Sequence, residues 1–360
     1  MKRYIYILYL LLSMVTILLS SPLIKAKRIS KDLNISEINS TSAIWQQTRS
    51  SRVYLYPQKS IQLNDKIANS LNSSYKKVVS RVSAIYDNRY MIFRVVWSDD
   101  NRSVDQYGYS DAFAIEFVND LNDSKRLPYI GMGSQGREVS IYYLRADSRV
   151  DSGKLYLSHG NKTMREVRDI NSSFHMSMDH NGTHYIGMLR RELDSGYSEL
   201  NSSTSFPISL AIWHGDQLQR AENKYISSWF ATKFGTKKSS DRLVDELDRK
   251  PKGKIKKGKY IVENLCTSCH TVGDKNATIP STAPNLSNIG GYSTIAYLYE
   301  SIRDPSAVIA EEYSQRIDRV SKWYTVDDSG KKVSLMPSDL IEESMIDDVV
   351  AYLHQLKGDK

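Results

Sequence analysis

Residues 261–270 read IVENLCTSCH and hold both cysteines of the chain, Cys266 and Cys269, with His270 directly after the second. Two thiols at this spacing admit a redox pair, half of a zinc site, or attachment of a c-type haem. A redox pair belongs in a strand–helix–strand context, which the flanking sequence lacks. A zinc site needs two further soft ligands, and no other cysteine exists. A disulfide here would close a tiny loop and stabilise little. The C-x-x-C-H spacing fits haem attachment: two thiols one helical turn apart add to the two vinyl groups, and the next imidazole then lies under the ring and binds iron. Cys266 and Cys269 are therefore read as the attachment points of one covalent haem c, and His270 as an iron ligand.

The flanks extend this reading. KKGKYIVENLCTSCHTVG reads as a helix with Tyr260, Ile261 and Leu265 toward one side. STAPNLSNIGG follows, then the helical TIAYLYESIRDP up to Pro305, then SLMPSDL, and last the helix IEESMIDDVVAYLHQLK. This order resembles class I cytochrome c over residues 250–358. The resemblance implies that the carbonyl of Pro284, near Leu286, orients His270, and that Met336 in Leu335-Met336-Pro337 is the sixth ligand. Taken alone, a single methionine reads as core packing. Met345 falls within the last helix and reads as packing. His354 is a ligand in principle but lies on that same helix, beyond the expected loop. A His/Met pair raises the reduction potential relative to two histidines. It leaves no open coordination position, so it points to electron transfer rather than substrate chemistry. Glu311–Lys332 is a polar insertion before Met336.

The preceding residues follow another pattern. RVYLYP (52–57), MIFRVVW (91–97), AFAIEF (112–117), VSIYYLR (139–145), THYIGML (183–189), ISLAIW (208–213) and SWFATKF (228–234) are short, aromatic or β-branched, and separated by polar loops. They predict an antiparallel β-sandwich over 45–235. Lys59–Ile67 and Leu243–Arg249 read as short helical pieces. A basic linker over 236–250 leads to a small all-α cytochrome c domain over 251–360. The start of the chain, residues 1–26, has Lys2-Arg3, an apolar run and a cleavage point after Ala26, the layout of a signal peptide. An uncleaved anchor is the alternative, and would give the only membrane contact. Both place the rest of the chain in the periplasm or an equivalent exported compartment.

Within the sandwich the motifs come in a telling order. Trp97-Ser98-Asp99-Asp100 precedes Tyr109–Phe117, then Pro128-Tyr129-Ile130-Gly131-Met132-Gly133, and much later Ile208–Gly215 and Asn223–Trp229. The series resembles the haem b-binding γ subunit of periplasmic molybdopterin enzymes, the group of ethylbenzene and dimethyl sulfide dehydrogenases and of selenate and chlorate reductases. The resemblance implies a non-covalent haem b with Met132 and Lys224 on its iron. Glycines beside Met132 let backbone approach a flat ring, and a lysine binds iron only as a neutral amine in a dry pocket. Without the resemblance, both residues read as a packed loop methionine and a surface lysine. His175 and His184 read as structural; His214, at a strand end, is a candidate to line the haem b pocket.

The formal charge of +8 suits docking to an acidic partner; the scattered Lys and Arg and the lack of a recognition motif argue against nucleic acid. The expected role is a di-haem electron-transfer subunit without substrate chemistry of its own. The γ-subunit resemblance implies an iron–sulfur β subunit and a molybdopterin α subunit as partners, with a soluble cytochrome or other carrier beyond. The family members named above carry only haem b, so the fused c domain departs from them; it resembles the arrangement in nitrite oxidoreductase, with nitrate reductases next. A second expectation from another class is a ligand- or carbohydrate-binding sandwich fused to a mono-haem cytochrome c. A third is a haem peroxidase, which would need an open iron.

Overall fold

The computed structural model describes residues 22–60, 66–104, 108–148, 153–160, 163–168, 173–200, 203–235, 241–279, 283–309 and 323–358. The β-rich part runs β1 (Leu23–Arg28), β2 (Ser51–Pro57), helix α1 (Lys66–Ser74), β3 (Val78–Tyr86), β4 (Tyr90–Ser98), β5 (Ala112–Val118), β6 (Val139–Arg145) and β7 (Lys154–Ser158). It continues through β8 (Arg165–Val167), β9 (Phe174–His180), β10 (His184–Glu192), β11 (Phe206–Trp213), β12 (Tyr225–Ile226) and β13 (Phe230–Phe234). Strand neighbours follow the order β8-β7-β6-β5-β11-β12-β2-β3-β4-β10-β9. The sheet turns over at β2, whose Ser51–Leu55 pair with β3 while Tyr56 and Pro57 pair with β12. Two layers result, with a core between them.

Period-two alternation builds that core. Phe113, Ile115 and Phe117 of β5 point between the layers and meet β4, with Trp97–Phe113 and Phe93–Phe117 ring centroids 5.8 and 5.7 Å apart. The intervening residues Ala112, Ala114 and Glu116 therefore face outward, beside Ala211 and Ser209 of the neighbouring β11. On the opposite outer face, Ile29, Ile35 and Trp45 cover Ile85, Ile92 and Met188.

The second part is helical: α2 (Arg242–Leu247), α3 (Ile255–Asn264), α4 (Ile289–Tyr292), α5 (Ile295–Arg303), the hairpin β14 (Tyr324–Val326) and β15 (Lys332–Ser334), and α6 (Glu343–Leu353). Gly258 of α3 lies against the Asp348 carbonyl of α6, so the two helices cross where no Cβ fits. The outer face of the first layer packs on these helices. Tyr56, Trp213 and Trp229 share one apolar cluster with Val262, Ile289, Tyr292 and Leu298. The junction also carries polar ties. Arg137 holds Glu300 through two hydrogen bonds of 2.5 and 2.9 Å, and Asn288 Nδ2 donates to the buried Pro57 carbonyl at 3.0 Å.

Several expectations need correction. The sheet is not purely antiparallel: β1 runs parallel to both β13 and β3. It begins at Leu23 rather than residue 45, and β1 runs through the cleavage point expected after Ala26, with Ile24 and Ala26 buried. Residues 1–21 lie outside the described residues. The helix expected at Lys59–Ile67 starts at Lys66 and ends at Ser74; residues 61–65 lie outside the described residues. The expected linker contains α2, capped by Asp241, with Leu243 buried in the shared cluster. The cytochrome part is not all-α, because part of the polar insertion pairs as β14–β15; residues 311–322 of it lie outside the described residues. Among the described residues, no helix is long and apolar enough to cross a membrane.

Candidate functional site

After Leu265 the chain tightens from α3 into a 3₁₀ turn over Cys266–Ser268, and the N–H groups of Cys269 and His270 both donate to the Cys266 carbonyl, at 3.2 and 2.8 Å. This turn places both thiols and the imidazole on one side. Cys266, Cys269 and His270 line a cavity of about 390 Å³, and Met336 lines the same cavity. Neither cysteine forms a disulfide among the described residues. The Nδ1–H of His270 donates to the Pro284 carbonyl at 2.7 Å, which assigns the tautomer and leaves Nε2 unprotonated. Burial holds this imidazole below the usual histidine range, opposed by the Pro284 bond. Burial, then the neighbouring Cys269, pushes the Cys266 thiol up to about 11.

The Met336 loop is pinned from both sides: its N–H donates to Ser334 Oγ, and the Ser334 N–H donates to Ser306 Oγ, each at 3.1 Å. Most of the remaining wall is apolar, from Leu298, Ile302, Ile341 and Val349. Trp323 Nε1 also lines this cavity, buried and without a hydrogen-bond partner among the described residues. A buried indole N–H left this way calls for an acceptor, which a haem propionate would supply. Two thiols, an unprotonated imidazole nitrogen, a thioether and an orphaned donor around one apolar cavity fit a haem c. Met345 does not line this cavity. Neither does His354, which opens onto a different cleft.

The second candidate pair sits on the outer face of the first sheet layer. Lys224 is 4% exposed, its Nζ 2.9 Å from Glu222 Oε2 and over the Trp213 ring at 5.5 Å. Met132 packs against the apolar cluster to which Trp213 belongs. Its backbone has φ of 71°, a left-handed conformation that a non-glycine residue holds only under constraint. Gly133 follows at φ 81°, and a Cβ there would meet the Ser158 carbonyl at 2.8 Å. The strand floor below is unusually small: Ala114 pairs with Ala211, and Ala112 with Trp213. Tyr143, beside Ala114 on β6, sets its ring edge-on to Trp213 with centroids 5.3 Å apart. Small residues, aromatic rings and a buried amine thus share this face with the Met132 loop.

Glu116 belongs to this face. It accepts from Ser209 Oγ at 2.7 Å, and its Oε1 is buried without a partner among the described residues. Burial pushes its carboxyl up to about 8, opposed by the Ser209 bond and by the Lys224 charge. Tyr129, three residues before Met132, links the two sites through the backbone: its carbonyl accepts from the Gly133 N–H at 2.9 Å. Its hydroxyl lies 3.3 Å from Ser60 Oγ, its ring is 5.5 Å from that of Tyr297, and all three line the Cys266/His270 cavity. Burial pushes the Tyr129 hydroxyl up to about 12, with the charge of Glu222, partner of Lys224, adding to the shift.

His214 does not share the Lys224 face. Trp213 takes that side of the strand, and His214 turns the other way, its ring edge-on to Tyr225 and its Nδ1 3.1 Å from Asp99 Oδ2. Asp111 explains the neighbouring motifs: it accepts from the Ser103 N–H, the Gly215 N–H and the Tyr185 hydroxyl at 2.6, 2.8 and 2.6 Å. The segments Trp97–Asp100, Tyr109–Phe117 and Ile208–Gly215 thus meet to hold the loop that leads to Lys224. The His184 ring bonds the side chains of Ser98 and Thr183 at the layer edge. Sequence reasoning missed Glu222, Trp323 and the bridging role of Tyr129. Tyr129 lay inside a motif already singled out, and Glu222 stands two residues from Lys224; Trp323 carried no local signal.

Comparison with known proteins agrees with this layout in part. The cytochrome c family model matches residues 255–357. A protein of Haloferax mediterranei assigned as a respiratory nitrate reductase haem subunit (ORF7) is 26% identical over 164 residues, covering 43% of this chain. The match spans 55% of that relative's length. Among solved structures, a family 9 carbohydrate-binding module from Caldicellulosiruptor kristjanssonii in complex with glucose aligns at 9% identity and a TM-score of 0.32, covering 61% of this chain and 98% of its own. A carbohydrate-binding protein of Bacteroides uniformis aligns at 11% identity and 0.34, covering 62% and 95%. At such scores these likenesses carry no argument. The chain is thus a large β-sheet domain joined to a cytochrome c domain, an electron-transfer haem protein.

Proposed function

We propose that this chain is the di-haem electron-transfer γ subunit of an exported molybdopterin oxidoreductase complex of the nitrite oxidoreductase or nitrate reductase type. Haem c is held covalently by Cys266 and Cys269 with His270 and Met336 on its iron; haem b is held by Met132 and Lys224. The observation that carries the reading is the single apolar cluster shared by both candidate sites, with Tyr129 lining the cavity of one while its carbonyl accepts from the Gly133 N–H, next to Met132 of the other. Likeness to a nitrate reductase haem subunit supports the type of complex.

Each haem supplies a one-electron couple; the protein's task is to fix positions and exclude water. Pro284 holds the His270 ring, Ser334 and Ser306 hold the Met336 loop, and Glu222 positions the Lys224 amine at 2.9 Å. Tyr129 and Tyr297 set two rings 5.5 Å apart in the wall of the haem c cavity, and Tyr129 stands three residues before Met132. In this reading an iron–sulfur β subunit next to a molybdopterin α subunit exchanges electrons with haem b, and haem c passes them to a soluble carrier.

Lys224→Ala and Met132→Ala test it. Each variant is expected to lose an acid-extractable haem while the covalent haem on Cys266 and Cys269 stays. Full haem b content in both variants would remove the ligand assignment.

A further inference from the structure

A second cleft, of about 260 Å³, opens where the sheet layer, the α2 connector and the last helix meet. Its cations come from three distant parts of the chain: Arg52 and Lys77 from the sheet, Arg249 and Lys250 after α2, and Lys357 after α6. No aspartate or glutamate lines it among the described residues. Like charges gathered in a concave space raise the local potential and concentrate anions.

Two further features point inward. Thr294 and Ile295, the N-cap and first residue of α5, line the cleft, so the positive end of a nine-residue helix opens onto it. Ser293, 6% exposed, also lines it, with its Oγ buried and unpartnered among the described residues. His354 adds a buried Nδ1 without a partner among the described residues. Burial, then Lys357 and Lys250, holds that imidazole down to about 4, so it enters as a neutral hydrogen-bonding group.

We infer that this cleft is a binding site for a small multivalent oxyanion of the phosphate type, held by Arg52, Lys250 and Lys357, by the N-terminus of α5 and by the hydroxyl of Ser293. The charge count favours a dianion or a more highly charged group over chloride, and the volume accommodates a group of pyrophosphate size. Its occupant would tie the sheet to the cytochrome c domain, because its cations belong to both. The inference needs neither haem ligand set, so it stands or falls apart from the proposed function.

Calorimetric titration of the full haem-loaded protein with inorganic pyrophosphate, at constant ionic strength, tests it. Saturable binding of one equivalent is expected. Lys250→Gln with Lys357→Gln should weaken it by more than about tenfold, the loss of at least one charge-assisted hydrogen bond. Ser293→Ala should weaken it less, and Lys154→Gln, an exposed cation on β7 remote from the cleft, should leave it unchanged. Absence of saturable binding would overturn the inference. So would equal weakening by Lys154→Gln and by the Lys250/Lys357 pair, which would mark general screening of a basic protein.

Discussion

His270 can present only one nitrogen to the cavity, because the other is spent on the Pro284 carbonyl at 2.7 Å. Met336 faces the same cavity from a loop fixed by two serines. On the proposed assignment, removing that thioether opens a coordination position. Met336→Ala is therefore expected to let the reduced haem c bind carbon monoxide at neutral pH, a shift visible in the Soret band; the unaltered protein should not. Glu116 gives a pH prediction. Its carboxyl rises from 4.5 to about 8 on folding, so the folded state holds a proton that the unfolded state has released. Its contribution to stability is whole below about pH 4.5 and falls as pH rises toward 8. Glu116→Gln should flatten that part of the stability profile, measured by urea denaturation. At this scale the C-x-x-C-H motif was legible outright, because attachment chemistry demands a fixed spacing. Met336, Met132 and Lys224 entered as candidates only through resemblance, since one methionine or lysine carries no spacing of its own. Glu222 and Trp323 were not legible as site residues, because their roles arise from approach in space.

The strands expected from alternating aromatic and β-branched runs appear near the expected bounds, as in β4, β5, β6 and β11. Strands that escaped reading, such as β9 with its His, Ser and Asp residues, are held by pairing with a neighbour more than by their own composition. The two-residue β12 exists only because β11 and β2 flank it. β1 is the most consequential miss. Leu23–Ala26 pair with Ala231–Phe234, so a cut after Ala26 would remove this whole pairing. Intact-mass measurement of the mature protein should therefore find Leu23 retained; a mass starting at Lys27 would show that the sheet forms without this strand. Between the domains, Arg137 and Glu300 form a largely buried two-fold hydrogen-bonded pair. Arg137→Ala should cost about 2 kcal/mol, the range for hydrogen bonds to charged groups, and should lower the denaturation midpoint of both domains together. Loss confined to one domain would mean that the junction does not couple them.

Across the whole molecule, the separate sandwich, linker and helical domain expected from sequence become two bodies sharing one apolar cluster. The sequence pattern could not show this. The residues that form the junction, such as Tyr56, Trp229 and Tyr292, look like ordinary core within their own segments. A shared core joins the two candidate haem sites, and Tyr129 and Tyr297 line the Cys266/His270 cavity within it. Tyr129→Leu is expected to slow electron transfer from haem b to haem c, followed by rapid-mixing spectroscopy, with both haem contents unchanged. The claim beneath all of this is that one chain carries two haems of different attachment. The direct measurement is a pyridine haemochrome assay of the native protein before and after acid–acetone extraction, set against protein concentration. The account predicts two haems per chain, one extractable as haem b and one remaining on Cys266 and Cys269. A single covalent haem in fully loaded protein would contradict it and leave the sheet domain without its proposed cofactor.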